Sequence, residues 1–313
     1  MTSLNRRTLI KSSAAGAVIA TLAGTPSVFA DDGDKPTIGV GSRYFTEQMI
    51  LGEMVSLVLE DAGYHVKRTL GLGGTAIVME AIESGEIDIS VEYTGTGLVA
   101  ILEMDLPTVD EDDDKSLEEQ VYDIVKREYE EQLDLIWLDP WGFNNTYAMA
   151  VSKDTAEKYD LKTTSDLEAH AGDMTLGTDL EFPLRDDGLP GFEEAYGFSF
   201  GDVKPGDAGI MYQAVANGDV DVITAYTTDG RIPALDLVVL EDDKGFFPPY
   251  YMCPVIRKDT LDANPEVGEA LNRLHNQFTE SDMQAMNYDV DENGMEPIDV
   301  ARPVLEEKGL IES

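Results

Sequence analysis

One element occurs twice in this chain and limits its possible folds more than any other feature. Gly85-Glu86-Ile87-Asp88-Ile89-Ser90-Val91-Glu92-Tyr93-Thr94-Gly95 is paralleled by Gly218-Asp219-Val220-Asp221-Val222-Ile223-Thr224-Ala225-Tyr226-Thr227-Thr228. In both, the tyrosine follows the glycine by eight positions. In the first copy Ile87, Ile89 and Val91 alternate with Asp88, Ser90 and Glu92, the period-2 pattern of a half-buried strand. The strand then runs into small donors and an aromatic, at the end of a strand where open α/β sheets bind ligands. Taken singly, each copy also reads as a strand-to-helix loop that happens to hold a tyrosine. Taken together, two lobes that each end a strand in Tyr-Thr would put a tyrosine on each wall of a cleft.

The flanking segments support an α/β fold. Residues 31–36 are a polar leader. Thr37–Ser42 reads as a strand, Met49–Val58 as a helix stopped by Gly63, and His65–Leu72 as a second strand. Gly73-Gly74-Thr75 opens a second helix, and Ile87–Val91 makes the order βαβαβ, a doubly wound unit. A helix over Leu117–Gln132 and a strand over Leu133–Leu138 lead to Asp139–Tyr147, a polar-aromatic link and candidate hinge, before a strand over Ala148–Val151. From Thr164 the pattern starts over, with a strand Met174–Thr178, helices to Tyr196 and over Ile210–Ala216, and the strand Val220–Ala225. Strands Leu237–Leu240 and Met252–Arg257 enclose Phe246–Tyr251, read as the return to the first lobe, and three helices finish the chain. The expected division is a targeting segment at 1–30, lobe 1 at 36–144 plus 248–313, and lobe 2 at 145–247.

Charge narrows the partners. Lys+Arg total 22 against 62 Asp+Glu, a formal net charge of −40. Nucleic-acid phosphates need clustered Lys and Arg, so nucleic acid is excluded as a partner. High charge also marks disordered chains, but 42% hydrophobic residues with 13 Tyr and 10 Phe argue for a folded core. An acidic coat suits high salt, where screening removes most of the self-repulsion; the source reads as a halophile. Cys253 is the one cysteine, which leaves no internal disulfide and no cysteine-linked lipid anchor. Paired Arg6-Arg7, a weakly apolar run from Ala14 to Ala23 and Val28-Phe29-Ala30 read as a twin-arginine signal peptide, with an ordinary signal peptide or an uncleaved anchor as alternatives. No other run approaches the ~20 apolar residues of a membrane span. The mature chain is therefore expected to be exported, in the periplasm or at the outer face of the cell membrane, and a monomer.

Catalytic and metal motifs are weak. Gly71-Leu72-Gly73-Gly74-Thr75-Ala76 matches a loose dinucleotide pattern, but it follows the second strand, in a chain read as exported. His65, His170 and His275 lie far apart, without metal-ligand spacing. Asp289-Val290-Asp291-Glu292-Asn293-Gly294 begins like a calcium loop, but its twelfth position is Val300. Bunched carboxylates at Asp110–Asp114 read as a solvated loop. No enzyme, metal or cofactor is called for.

What accumulates instead is tyrosine: Tyr93, Tyr147, Tyr226 and Tyr250, all read as lying on loops after strands or polar turns. Ring faces attract cations that cannot hydrogen-bond, at roughly 0.5–2 kcal/mol per well-placed ring. Each tyrosine alone reads better as half-buried core with a wet hydroxyl; it is four of them after strands or polar turns that point to a cage.

These segments resemble the glycine betaine/choline-binding proteins of osmoprotectant ABC transporters, over Thr37–Ile311. The resemblance rests on Gly41-Ser42-Arg43 with Thr46-Glu47-Gln48, Leu72-Gly73-Gly74-Thr75, Glu92-Tyr93-Thr94-Gly95-Thr96, Gly142-Phe143-Asn144-Asn145-Thr146-Tyr147, Arg185-Asp186-Asp187-Gly188, Thr228-Asp229-Gly230 and Pro248-Pro249-Tyr250-Tyr251. It implies an α/β, two-lobe periplasmic-binding-protein-like fold (type II) with ligand in the inter-lobe cleft. It implies a cage of Tyr93, Tyr147, Tyr226 and Tyr250, carboxylate-holding groups at Arg43, Thr96 and Arg185, and a polar lining residue at Asn145. The implied ligand is a quaternary ammonium osmolyte, glycine betaine first, then proline betaine or choline, passed to a membrane permease. Arg43 departs from the lysine frequent in the family and adds a planar fork. An exported enzyme acting on a small cationic substrate, or a binding protein for an amino acid or polyamine, remain the other readings.

Overall fold

The computed structural model describes residues 35–108 and 115–312. The expected signal peptide at 1–30 and the acidic loop Asp110–Asp114 lie outside the described residues. In chain order the first elements are β1 (Thr37–Gly41), α1 (Thr46–Asp61), β2 (His65–Thr69), α2 (Thr75–Glu83), β3 (Ile89–Tyr93), α3 (Leu117–Leu133) and β4 (Leu135–Trp137). Then come β5 (Tyr147–Ser152), α4 (Lys153–Tyr159), β6 (Thr175–Thr178), α5 (Leu189–Tyr196), β7 (Asp202–Pro205), α6 (Ala208–Asn217), β8 (Val222–Tyr226), α7 (Arg231–Ala234) and β9 (Leu237–Val239). The chain closes with β10 (Met252–Arg257), α8 (Lys258–Ala263), α9 (Pro265–Asn272), α10 (Glu280–Asp291) and α11 (Pro297–Glu307).

The strands form two five-stranded sheets, ordered β2-β1-β3-β10-β4 and β7-β6-β8-β5-β9. Each has two parallel pairings followed by antiparallel ones. The repeat seen in the sequence is therefore a repeat of structure, with β3 and β8 in matching places. The glycines before them, Gly85 and Gly218, have φ of +76° and +78°, the left-handed region where glycine carries no steric penalty. Three residues on, Asp88 accepts from the Gly39 amide in β1 at 2.6 Å, and Asp221 from the Thr175 amide in β6 at 2.9 Å. The same clamp thus joins each repeated strand to its parallel neighbour.

Both repeated strands lie further along than period-2 alternation indicated. They end on Tyr93 and Tyr226, and β5 starts on Tyr147. Three of the four tyrosines expected on loops are thus held in sheet ladders. The physical reason is that Tyr is itself a good strand former, and each pairs across: Tyr93 with Met252, and Tyr147 with Tyr226. After β3 the chain makes a π-helical turn, Thr96–Ile101, an irregularity frequent at functional sites.

The chain leaves the first sheet after β4 and re-enters it at β10. The two connecting segments run antiparallel side by side, with an Asn144–Tyr251 bridge and a 3.0 Å bond from the Asn145 amide to the Tyr250 carbonyl. Helix α1 is buried on nearly every side, including Glu47 and Gln48, because β1, β3 and the carboxyl-terminal helices α9–α11 all pack on it. That burial brings two polar side chains of its first turn beneath the ends of the strands.

Candidate functional site

Tyr147 and Tyr226 are directly paired residues of β5 and β8, so their side chains share one face of the second sheet. Their ring centroids lie 5.3 Å apart. Both hydroxyls donate to Oδ2 of Asp179, at 3.1 and 3.0 Å. Asp179 follows β6 and is 1% exposed. Its Oδ1 accepts from the amides of Glu181 and Phe182 at 2.6 and 2.9 Å, which fixes the carboxylate under the two rings.

The first lobe supplies Tyr93, whose hydroxyl donates to Glu47 Oε1 at 2.6 Å. Glu47 also accepts from Asn145 Nδ2 at 2.7 Å, from the Thr228 hydroxyl and from Asn287 Nδ2 at 3.1 Å. One carboxylate therefore ties together both sheets, a connecting segment and α10. Burial pushes the Glu47 carboxyl up from the usual range against those four hydrogen bonds. Tyr250 stands edge-on to Tyr147, with centroids 5.9 Å apart. Its hydroxyl donates to Asp187 at 2.6 Å. Gly95 is what lets it in: a Cβ there would lie 2.8 Å from the Tyr250 ring. Burial, first, and nearby carboxylates, second, push all four tyrosine hydroxyls well above the ordinary phenol value, so each keeps its proton and donates it.

The two arginines are already paired. Arg43 Nη2 donates to Glu92, with both side chains 5% exposed. Burial works to lower the Arg43 pKa, but the carboxylates of Glu92 and Glu181 outweigh it. Arg185 grips Asp187 through Nε at 2.7 Å and through Nη2, and reaches Thr96 Oγ1 at 3.3 Å. A ligand without a carboxylate would therefore not leave them unpaired.

All eight residues named from the sequence line one cavity between the sheets: Tyr93, Tyr147, Tyr226, Tyr250, Arg43, Thr96, Arg185 and Asn145. Tyr44, Phe45 and Glu181 complete it. Its free volume is only about 30 Å³. The walls are drawn together. Phe45 lies near-parallel to Tyr93 and Tyr226, with centroids 6.4 and 5.5 Å apart. Glu181 accepts from the Thr75 amide and hydroxyl across the gap at 2.7 and 2.9 Å, and Arg231 meets Asp291 at 3.0 Å. A neighbouring cavity of about 150 Å³ shares Tyr44, Phe45, Asn145 and Tyr226. Of the four tyrosines only Tyr226 lines it, so the tyrosine-lined cavity is the better candidate site.

Sequence reasoning missed Phe45, Glu181, Asp187 and Asp179 as site residues and quoted Glu47 without a role. Asp179 carried a usable signal: it is polar and immediately follows a strand, as Ser42 does after β1. Among the described residues no group of three or more His, Cys, Asp and Glu is arranged to hold a metal ion. None of the helices there is long and apolar enough to cross a membrane.

Comparison with known proteins agrees with this geometry. A family described as the substrate binding domain of ABC-type glycine betaine transport systems matches residues 36–307. A glycine-betaine-binding protein of Pseudomonas aeruginosa is 37% identical over 287 residues, 88% of this chain and 89% of that protein. An ergothioneine transport permease/ergothioneine binding protein of Helicobacter pylori is 36% identical over 278 residues, 88% of this chain; the chain spans 48% of its length. The solved structure described as a glycine betaine/carnitine/choline ABC transporter superposes with a TM-score of 0.70 at 37% identity, covering 87% of this chain and 99% of that one.

Proposed function

The chain belongs to the substrate-binding domains of ABC-type glycine betaine transport systems, and on that premise we propose that it captures a quaternary ammonium osmolyte between its lobes, glycine betaine first. The observation that carries this reading is the set of four tyrosines, three from the two sheets and Tyr250 from a connecting segment, around one cavity. A trimethylammonium group offers no hydrogen-bond donor, so ring faces are what can hold it, at roughly 0.5–2 kcal/mol each. The donors of Arg43, Arg185 and Thr96 at the same cavity suit a ligand carboxylate. Proline betaine fits the same description; choline lacks the anionic end and would bind more weakly.

Ligand contacts come from both lobes, so binding favours the closed arrangement. The bonds Glu181–Thr75 and Arg185–Thr96 then act as latches across the gap. The closed form would dock on a membrane permease outside the cytoplasm, as a monomer. A transport protein rather than an enzyme is the reading its family supports.

Calorimetric titration in high salt with glycine betaine and then choline tests this. Tight betaine and weak choline are expected. Tyr226→Ala should weaken betaine binding at least tenfold, about 1.4 kcal/mol; unchanged affinity would take Tyr226 out of the cage. Turnover of either compound by the pure protein would favour the exported enzyme instead.

A further inference from the structure

Five carboxylates are buried among the described residues: Glu47, Glu92, Asp179, Asp187 and Asp229. Three have an arginine: Arg43 on Glu92, Arg185 on Asp187 and Arg231 on Asp229. Glu47 and Asp179 meet only neutral donors among the described residues. A buried charge without a counter-charge is costly, so two in one small region call for an explanation. Their placement supplies one. Three of the four cavity tyrosine hydroxyls end on these two groups: Tyr93 on Glu47, Tyr147 and Tyr226 on Asp179. The fourth, Tyr250, ends on the carboxylate that Arg185 neutralises.

We propose that Asp179 and Glu47 are the counter-charges of the bound cation, acting through the tyrosine hydroxyls without touching the ligand. This rests on the quaternary-ammonium reading above. Two effects add. The negative charges attract a cation across a dry, low-dielectric wall. Each charge-assisted O–H···O⁻ bond also polarises its phenol and makes the ring face more negative. The charge layout is polar as well. Unpaired carboxylates back the rings of Tyr93, Tyr147 and Tyr226, whereas Arg185, Thr96 and a neutralised carboxylate lie by Tyr250; the Arg43 guanidinium, 5.7 Å from the Tyr93 ring centre, is itself neutralised by Glu92. A zwitterion then has one favoured direction in the cavity. These are positioning residues, and the selectivity they give is for charge rather than shape.

The test compares glycine betaine with 3,3-dimethylbutanoate, its carbon isostere, which has the same carboxylate and the same three methyl groups but no cation. Both are titrated by calorimetry in multimolar salt, which screens the acidic coat. Wild type should prefer the betaine at least a hundredfold; equal affinity would overturn the proposal while leaving the cavity as a betaine site. If wild type binds neither, the underlying functional reading fails. Asp179→Asn keeps shape and removes charge. It should lower betaine affinity at least tenfold and change dimethylbutanoate affinity less than twofold. An equal fall for both would mean that Asp179 only holds the rings in place, and the proposal is wrong. Should Asp179→Asn not fold, Glu47→Gln repeats the comparison at the other wall: a fall for the betaine alone supports the proposal, and an equal fall for both ligands overturns it.

Discussion

In the first sheet the strand clamped by Asp88 is followed by Ser42 and Arg43; in the second, the strand clamped by Asp221 is followed by Asp179. Matching places thus carry opposite charge. Arg43 is neutralised within its own lobe by Glu92, whereas Asp179 is held only by backbone amides and two phenols. The tyrosines divide differently: the paired ladder of β5 and β8 gives the second lobe two rings side by side, and the first lobe ends β3 in one. A duplicated frame has become two unlike walls. At these matching places the first wall carries a cation neutralised within its own lobe, and the second an anion that meets only neutral donors.

The largest effect expected from that contrast is on stability. Arg43→Ala would strand Glu92, whose side chain is 5% exposed, and breaking such a buried pair costs about 3–5 kcal/mol. Asp179→Asn strands no charge, because its oxygen still accepts from the two amides and the two hydroxyls can turn to accept from the new amide nitrogen. Its cost should stay within about 1 kcal/mol, the net worth of an ordinary hydrogen bond. Urea unfolding of both variants at one fixed, high salt concentration makes the comparison; equal losses would mean that the two walls are not electrostatically different.

Next in size is the latch. Gly74 precedes α2, and a Cβ on it would fall 2.3 Å from Glu181 Oε1. Gly74→Ala should therefore push the carboxylate off the Thr75 amide, with no backbone strain because φ at Gly74 is −80°. Losing a hydrogen bond to a charged group is worth about 1.5 kcal/mol or more, so betaine affinity should fall roughly tenfold while unfolding in the absence of ligand changes little. Unaltered affinity in the titration would show that closure does not rely on this bond.

How much of this was legible in the residues differs between frame and chemistry. The repeat was legible because it is local: an alternating strand, a turn glycine and a tyrosine within eleven positions. The eight cavity residues were reached through motif resemblance, and they line one cavity. The partners of those residues were not legible. Glu47 and Asn287 are 240 positions apart, and Asp187 and Tyr250 are 63 apart, and no period or spacing connects residues brought together only by tertiary packing. Strand ends were misplaced for a related reason: alternation marks which face is buried but not where the ladder stops, and Tyr93 and Tyr226 belong to it through cross-strand pairing.

The finest comparison is between the two clamps themselves. Asp88 uses both oxygens, Oδ2 for the Gly39 amide and Oδ1 for the Thr260 hydroxyl at 2.9 Å, and is half-buried. Asp221 is exposed, and its Oδ2 holds the Thr175 amide. Replacing each by Asn offers an amide where one acceptor was. At Asp88 the oxygen can keep the Gly39 amide while the Thr260 hydroxyl turns to accept from the new Nδ2, so the hydroxyl proton loses its carboxylate where water is scarce, at a cost of about 1–2 kcal/mol. At Asp221 the amide can turn its oxygen to Thr175 and its nitrogen to water, so about 0.5 kcal/mol should be lost. The repeat would then prove equal in geometry and unequal in energy, the first copy weighing more because α8 leans on it through Thr260. Equal losses in the two variants, read from the midpoint of denaturant unfolding, would mean that burial at Asp88 adds nothing and that the clamps are interchangeable.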